Sequence, residues 1–132
     1  KGLRWPIAAV SVVTIVIGVV VTGAGPHAGD ADTPRNGLDL ELWQHYHSYP
    51  GYLMALLILI ALIAQARVSA SWSSYPFRAL VLLMAVTTAQ AIVGIVQARM
   101  GVPAILVGIH MLGAAVLSSL VMFQWLSARA KQ

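Results

Sequence analysis

Four long stretches of this sequence carry no formal charge: Trp5 to Ala28, Leu42 to Ala66, Ala79 to Ala98 and Met100 to Ala128. Each can supply the roughly 17 to 25 residues that cross a hydrocarbon core about 30 Å thick. Lipid offers the backbone no hydrogen-bond partner, so a spanning segment has to be a helix or a strand of a closed barrel. Barrel strands alternate polar and apolar residues, and these stretches do not. The expectation is an all-α integral membrane protein, a four-transmembrane-helix bundle forming a single domain over residues 1–132. Composition agrees: 59% of the chain is hydrophobic and 9% charged, against about 25% charged residues in ordinary soluble domains.

A cleavable signal peptide does not fit the first stretch, which reaches beyond Thr22 and is followed by three further spans rather than a soluble domain. The start at Lys1, without a methionine, reads as a piece of a longer protein. There is no cysteine, which excludes a disulfide, an iron–sulfur cluster or a thiolate metal site built from this chain. A metal here must use histidine, carboxylate, methionine or a cofactor.

The spans read as residues 6–23, 43–66, 77–98 and 103–128, with an outer loop at 24–42. Pro6, Pro76 and Pro103 suit helix starts, where a missing amide donor costs least. The outer loop is rich in Gly, Pro and Asp and reads as tight, irregular backbone at Gly23, Gly25, Pro26 and Gly29, lying over the outer mouth of the bundle. Six of the eight basic residues (Lys1, Arg4, Arg67, Arg78, Arg129, Lys131) sit at the chain ends or between the second and third spans. The positive-inside rule makes that side cytoplasmic and puts both termini there, in a multi-pass plasma-membrane protein. Arg35, Arg99 and all four acids, Asp30, Asp32, Asp39 and Glu41, take the opposite side. Trp5, Trp43, Trp72 and Trp125 lie near the span ends, where an amphipathic ring prefers the headgroup layer.

A histidine within a span is costly enough to be a functional candidate, and two, His47 and His110, lie deep enough to qualify. His47 lies one turn into the second span and His110 about two turns into the fourth, roughly 6 and 11 Å below the outer surface. Both helices run inward, so the imidazoles can face each other at one level. Gly51 follows His47 by one turn, and Gly113 and Ala114 follow His110 similarly, which allows a slot for a flat ligand between the two helices. Small residues also promote plain helix packing. At this level, cofactor ligation and an interhelical hydrogen bond remain equal readings of the pair. His45 is about 200° around the helix from His47 and reads as interfacial, and His27 in the outer loop reads as solvated. Gln90 and Gln97 share a face of the third span and read as hydrogen-bonding inside the bundle.

The segment VTGAGPHAGD (Val21 to Asp30) closely resembles the loop that opens the second half of actinobacterial haem A synthases. LWQHYHS (Leu42 to Ser48), QAIVGIVQARMGVP with its Gln-x-x-x-Gly at Gln90 and Gly94, and LVGIHMLGA around His110 resemble the helices that follow in that half. The family has eight transmembrane helices in two similar halves, and this chain resembles the carboxyl-terminal one. The resemblance implies that His47 and His110 are the axial ligands of a haem b iron. It also implies an enzyme that oxidises a methyl group of haem O to a formyl group, giving haem A for cytochrome oxidase.

The catalytic half of that family typically carries a glutamate three residues before its first histidine. This chain has Gln44 there, so the resemblance points to the haem b half, with no catalytic residue of its own. Ser48 replaces the family's usual arginine, and the outer-loop cysteines are absent. Glu41, near the mouth of the second span, reads as solvated. The implied partners are the amino-terminal half of the same protein or a second copy, haem O as substrate, membrane lipid and cytochrome oxidase assembly factors; nothing points to nucleic acid. The competing readings are a compact synthase in which two such chains pair, and a stand-alone cytochrome b-type electron-transfer or oxidase-assembly subunit without catalytic activity.

The charge distribution generates a direct test of orientation. A cysteine placed at Ala31 reacts with an impermeant thiol reagent from outside intact cells, and one at Ser73 does not; the reverse labelling pattern refutes the topology.

Overall fold

The computed structural model describes residues 2–27 and 32–127. The expectations placed on Lys1, Ala28, Gly29, Asp30, Ala31, Ala128, Arg129 and Lys131 lie outside the described residues. Among the described residues the chain folds as four helices, α1 (Arg4–Ala24), α2 (Leu40–Val68), α3 (Tyr75–Arg99) and α4 (Ala104–Ser127). All four are long and apolar enough to cross a membrane. Their outward faces, with exposed Val12, Val16, Leu53, Leu56, Ile92 and Leu112, are what lipid rather than water would solvate.

Local chemistry moves the boundaries by a few residues from those read in the sequence. α2 begins at Leu40 rather than residue 43 because Asp39 caps it, its carboxylate accepting a 2.8 Å hydrogen bond from the Leu42 amide. That cap satisfies one of the orphan donors of a helix start and places Glu41 in the first turn, where a negative charge meets the positive end of the helix dipole. Pro76 takes the opening turn of α3. Pro103 stands just before α4 rather than inside it, and its carbonyl accepts from the amides of Leu106 and Val107 at 3.0 and 3.2 Å. Pro50 lies inside α2, one turn beyond Tyr46, whose carbonyl therefore lacks its helical donor.

The helices run antiparallel in chain order. α1 packs on α2, α2 on α3 and α3 on α4, while α4 returns more loosely to α1. The diagonal pairs, α1 with α3 and α2 with α4, bring no two Cα atoms within 8 Å. The bundle thus has a ring of contacts and an axis that side chains must fill. At the end holding the start of α1 and the finish of α4, here the terminal end, Ile7, Met54, Ile58, Leu80, Leu83 and Leu117 form one buried cluster. Toward the opposite end, the mouth, only Val107 among the described large apolar side chains is buried. One half of the axis holds this apolar cluster, with Ser11, Gln124 and Ser127 also buried toward that end; the other half holds the two histidines that lie inside the bundle.

The mouth is shaped by two connections. The segment after α1 folds back on it: Asn36 donates from Nδ2 to the Val20 carbonyl at 2.9 Å, and Arg35 donates to the Pro26 carbonyl at 2.8 Å. Between α3 and α4, Gly101 and Val102 adopt positive φ angles of 75° and 59°. A β-branched residue rarely accepts that region. Val102 is held there by its amide, which donates to the Gln97 carbonyl at 2.8 Å.

If the terminal cluster fixes the spacing of the bundle, Leu83→Ala lowers stability by about 2 kcal/mol. This is the low end of the range for buried leucines, because transfer from water contributes nothing in lipid. The lipid-facing control Val19→Ala leaves stability unchanged. Thermal unfolding in detergent distinguishes the two.

Candidate functional site

His47 enters the axis from α2 and His110 from α4, each about two turns from its helix's first residue. They meet across the diagonal with ring centroids 6.2 Å apart and ring planes at 78°. Two imidazoles joined directly by a hydrogen bond have centroids about 5 Å apart, so these rings are too distant to bond each other. Nδ1 of each is buried and has no hydrogen-bond partner, a costly state for a polar atom. The interhelical hydrogen bond that the sequence left open is not made.

Each ring instead lies against a glycine of the preceding helix. A Cβ at Gly18 of α1 would stand 2.9 Å from His47 Cε1, and one at Gly94 of α3 would stand 3.3 Å from His110 Cε1. The first distance excludes any side chain unless the ring moves; the second demands a small displacement. The hairpins α1–α2 and α3–α4 therefore repeat one device, a histidine packed on a backbone stripped of its side chain. Gly94 belongs to a segment singled out in the sequence, but Gly18 does not. Its signal is the parallel between Thr14-Ile-Val-Ile-Gly18-Val-Val and Gln90-Ala-Ile-Val-Gly94-Ile-Val, a polar residue one turn before a glycine amid bulky neighbours.

The polar member of that pattern differs between the hairpins. Gln90 donates from Nε2 to the His110 carbonyl at 2.8 Å, tying α3 to α4 at the level of the ring. Its amide lies where a Cβ of Gly113 would be. Gly113 thus makes room for Gln90 rather than for a ligand, a correction to the slot read from the sequence, whereas Gly51 faces open space. Thr14, in the corresponding place on α1, turns its hydroxyl back to the Val10 carbonyl at 2.8 Å.

Gln97 does not join a network: its Oε1 is buried without a partner and borders a small cavity on the mouth side of the histidines. Thr22, His27, Gln44 and Val107 are among its other walls, and it holds about 30 Å³, space for one or two waters. His27, from the outer loop, is therefore at the rim of this chamber while remaining exposed. His45 is exposed, away from the pair, and Ser48 donates to its carbonyl at 2.8 Å. Glu41 is exposed.

Comparison with family models, curated proteins and solved structures finds no match to this chain.

The donor set narrows what the pair can hold. Among the described residues no group of three His, Cys, Asp or Glu side chains stands together, so a bare ion would find two protein ligands where zinc asks for three or four. A planar macrocycle that itself supplies four equatorial nitrogens asks for two. An imidazole nitrogen lies about 1.1 Å from its ring centre and a metal–imidazole bond spans about 2.0–2.1 Å, so rings on opposite sides of one iron stand about 6.3 Å apart. The observed 6.2 Å fits that arrangement.

The interlock of Gln90 with Gly113 is open to a double-mutant cycle. Gly113→Val expels the Gln90 amide and breaks its bond to the His110 carbonyl, lowering stability by about 1 kcal/mol or more. In a Gln90→Ala background the same change is far milder. Equal costs in both backgrounds would show that the two residues are uncoupled.

Proposed function

We propose that this chain is a haem-binding transmembrane unit in which His47 and His110 are the two axial ligands of a b-type haem, and that it serves as the haem b half of a haem A synthase. The observation that carries the haem reading is the pair of imidazoles, each with a buried Nδ1 that has no partner, at iron-spanning separation across a bundle diagonal. The segments VTGAGPHAGD, LWQHYHS, QAIVGIVQARMGVP and LVGIHMLGA carry the further step to the synthase.

In this reading the bundle's own residues supply four things. His47 and His110 offer one neutral ring nitrogen each from opposite faces. Gly18 and Gly94 keep the backbones of α1 and α3 clear beside those rings. Gln90 holds the α4 backbone at His110. The mouth-side chamber, with Gln44 and Gln97, admits polar groups or water to one edge of the site. The bound group would supply one-electron transfer at an iron with both axial positions filled.

The membrane is the plasma membrane, with both termini and the Arg67–Arg78 connection on the cytoplasmic side, as the distribution of basic residues supports. The histidine pair then lies toward the outer face. Oxidation of haem O belongs to a partner half, either the amino-terminal half of the same protein or a second copy. Gln44 donates and accepts hydrogen bonds but cannot exchange a proton as a carboxylate does. An electron-transfer cytochrome without synthase activity shares this site, and the filled axial positions favour it equally as far as the iron is concerned. The two readings separate on haem A production with the partner half present.

His47→Ala and His110→Ala each abolish the sharp reduced-state bands of a bis-histidine haem in the purified protein, and His45→Ala retains them. Bands surviving in both of the first two variants would overturn the ligand assignment. Supplied with haem O, oxygen and a reductant, the chain alone forms no haem A by pigment extraction. Gln44→Glu alters the midpoint potential more than haem content, because a carboxyl group then stands one turn from His47. Haem A formed by the lone chain would place the catalytic centre in this half.

A further inference from the structure

At the terminal end, far from the histidines, Arg4 opens α1 with its guanidinium turned inward. Its Nε and Nη1 are buried and have no hydrogen-bond partner among the described residues, while the guanidinium carbon lies 5.3 Å from the centre of the Trp125 ring. Trp5 meets that ring edge-on at 4.2 Å. Two covered guanidinium nitrogens without acceptors are a costly arrangement, and among the described residues no carboxylate stands at that end to relieve it. The described acids, Asp32, Asp39 and Glu41, precede or open α2 at the mouth, whereas Lys1, Arg4, Arg67, Arg78, Arg129 and Lys131 belong by sequence to the terminal end.

The same tryptophan forms the end wall of a second feature. Where α4 returns loosely to α1, an open groove of about 240 Å³ runs between Ala8, Ser11 and Ile15 on one side and Ser118, Met122 and Trp125 on the other. Ser11 donates its hydroxyl to the Ile7 carbonyl at 2.7 Å, and Ser118 donates to the Ala114 carbonyl at 2.9 Å. Both hydroxyls are thus bonded to their own helix backbones, and the groove is almost wholly apolar. From Ala8 to Ile15 it extends about 10 Å along the helix, from the headgroup level toward the middle of the bilayer.

We propose that this is a binding site for an anionic phospholipid, its phosphate at the Arg4 guanidinium and one acyl chain in the α1–α4 groove. The two halves of the site match the two halves of one molecule, joined at Trp125. A basic pocket between transmembrane helices at the positive side is the setting in which anionic headgroups are recognised. The choice of a lipid over a second helix follows from charge: the groove ends at Trp125, over which the Arg4 guanidinium lies, and an apolar helix would offer that cation no counter-charge.

The indoles at the site provide the readout. In a Trp43→Phe, Trp72→Phe background, only Trp5 and Trp125 fluoresce, and the detergent-solubilised protein is titrated with phosphatidylglycerol or phosphatidylcholine brominated on one acyl chain. Phosphatidylglycerol quenches at a concentration at least tenfold lower than phosphatidylcholine. Arg4→Gln removes that preference, and Arg4→Lys, which keeps the charge, retains most of it. Ala8→Leu, which plugs the groove, weakens quenching by both lipids several-fold while helical circular dichroism is unchanged. Equal quenching by the two lipids, an unaltered preference in Arg4→Gln, or full displacement of the brominated lipid by inorganic phosphate overturns the proposal. So does a disulfide-linked dimer through Met122→Cys that excludes both lipids.

Discussion

The separation of α2 from α4 is the constraint on which the site depends. The two helices occupy a diagonal and never touch through their backbones, so whatever joins them must be carried by long side chains reaching into the axis. His47 and His110 nearly close that gap, stopping at 6.2 Å between ring centres. The gap cannot collapse, because Met54, Ile58, Leu80, Leu83 and Leu117 fill the same axis farther down, and close-packed side chains hold helices at a fixed distance. It cannot widen at the rings without stripping them from Gly18 and Gly94. The apolar cluster sets the spacing that the histidine pair uses.

The two histidines are not held alike. α4 is pinned at His110 by the Gln90 amide, which fits only because residue 113 is glycine. α2 is tied less firmly at His47: the ring meets the Thr14 backbone of α1, but the Thr14 hydroxyl is turned to its own helix, and Pro50 removes one rung of the α2 ladder just below the ring. A helix missing a rung bends more easily. If one side of the pair yields to let a flat group enter, these contacts make it α2, with His110 as the fixed point. That asymmetry is a consequence of the Thr14-for-Gln90 difference between two otherwise parallel hairpins.

How far the sequence speaks depends on the range of the interaction. The spans were legible because burial in lipid is a property of each segment taken alone, and the charged residues that end them are local. The depth of His47 and His110 was legible for the same reason, since helix rise converts sequence position into height. The start of α2 was missed by three residues because Asp39 was counted as loop charge rather than as a cap. Gly113 was misread as space for a ligand because nothing local says that the Gln90 amide from another helix occupies it. Gly18 and the Arg4–Trp125 pair were invisible for the same reason: a glycine or an arginine reveals its role only when the neighbouring helix is in place.

Within the proposed reading, one chemical conflict decides the division of labour between halves. Two imidazoles on opposite faces of an iron leave it no open position, and oxygen activation needs one. Two such ligands would suit the site to carrying electrons and would bar it from the oxidation unless one of them left. Opening α2 at His47 would free a face, and the groups lining the mouth side are then Gln44, Gln97 and Thr22 with His27 at the rim, a set without a carboxylate. In that reading the histidine that gives way and the carboxylate that manages protons would both come from a partner half, and glutamine at position 44 would suit this chain to receiving or passing electrons rather than to making the carbon–oxygen bond.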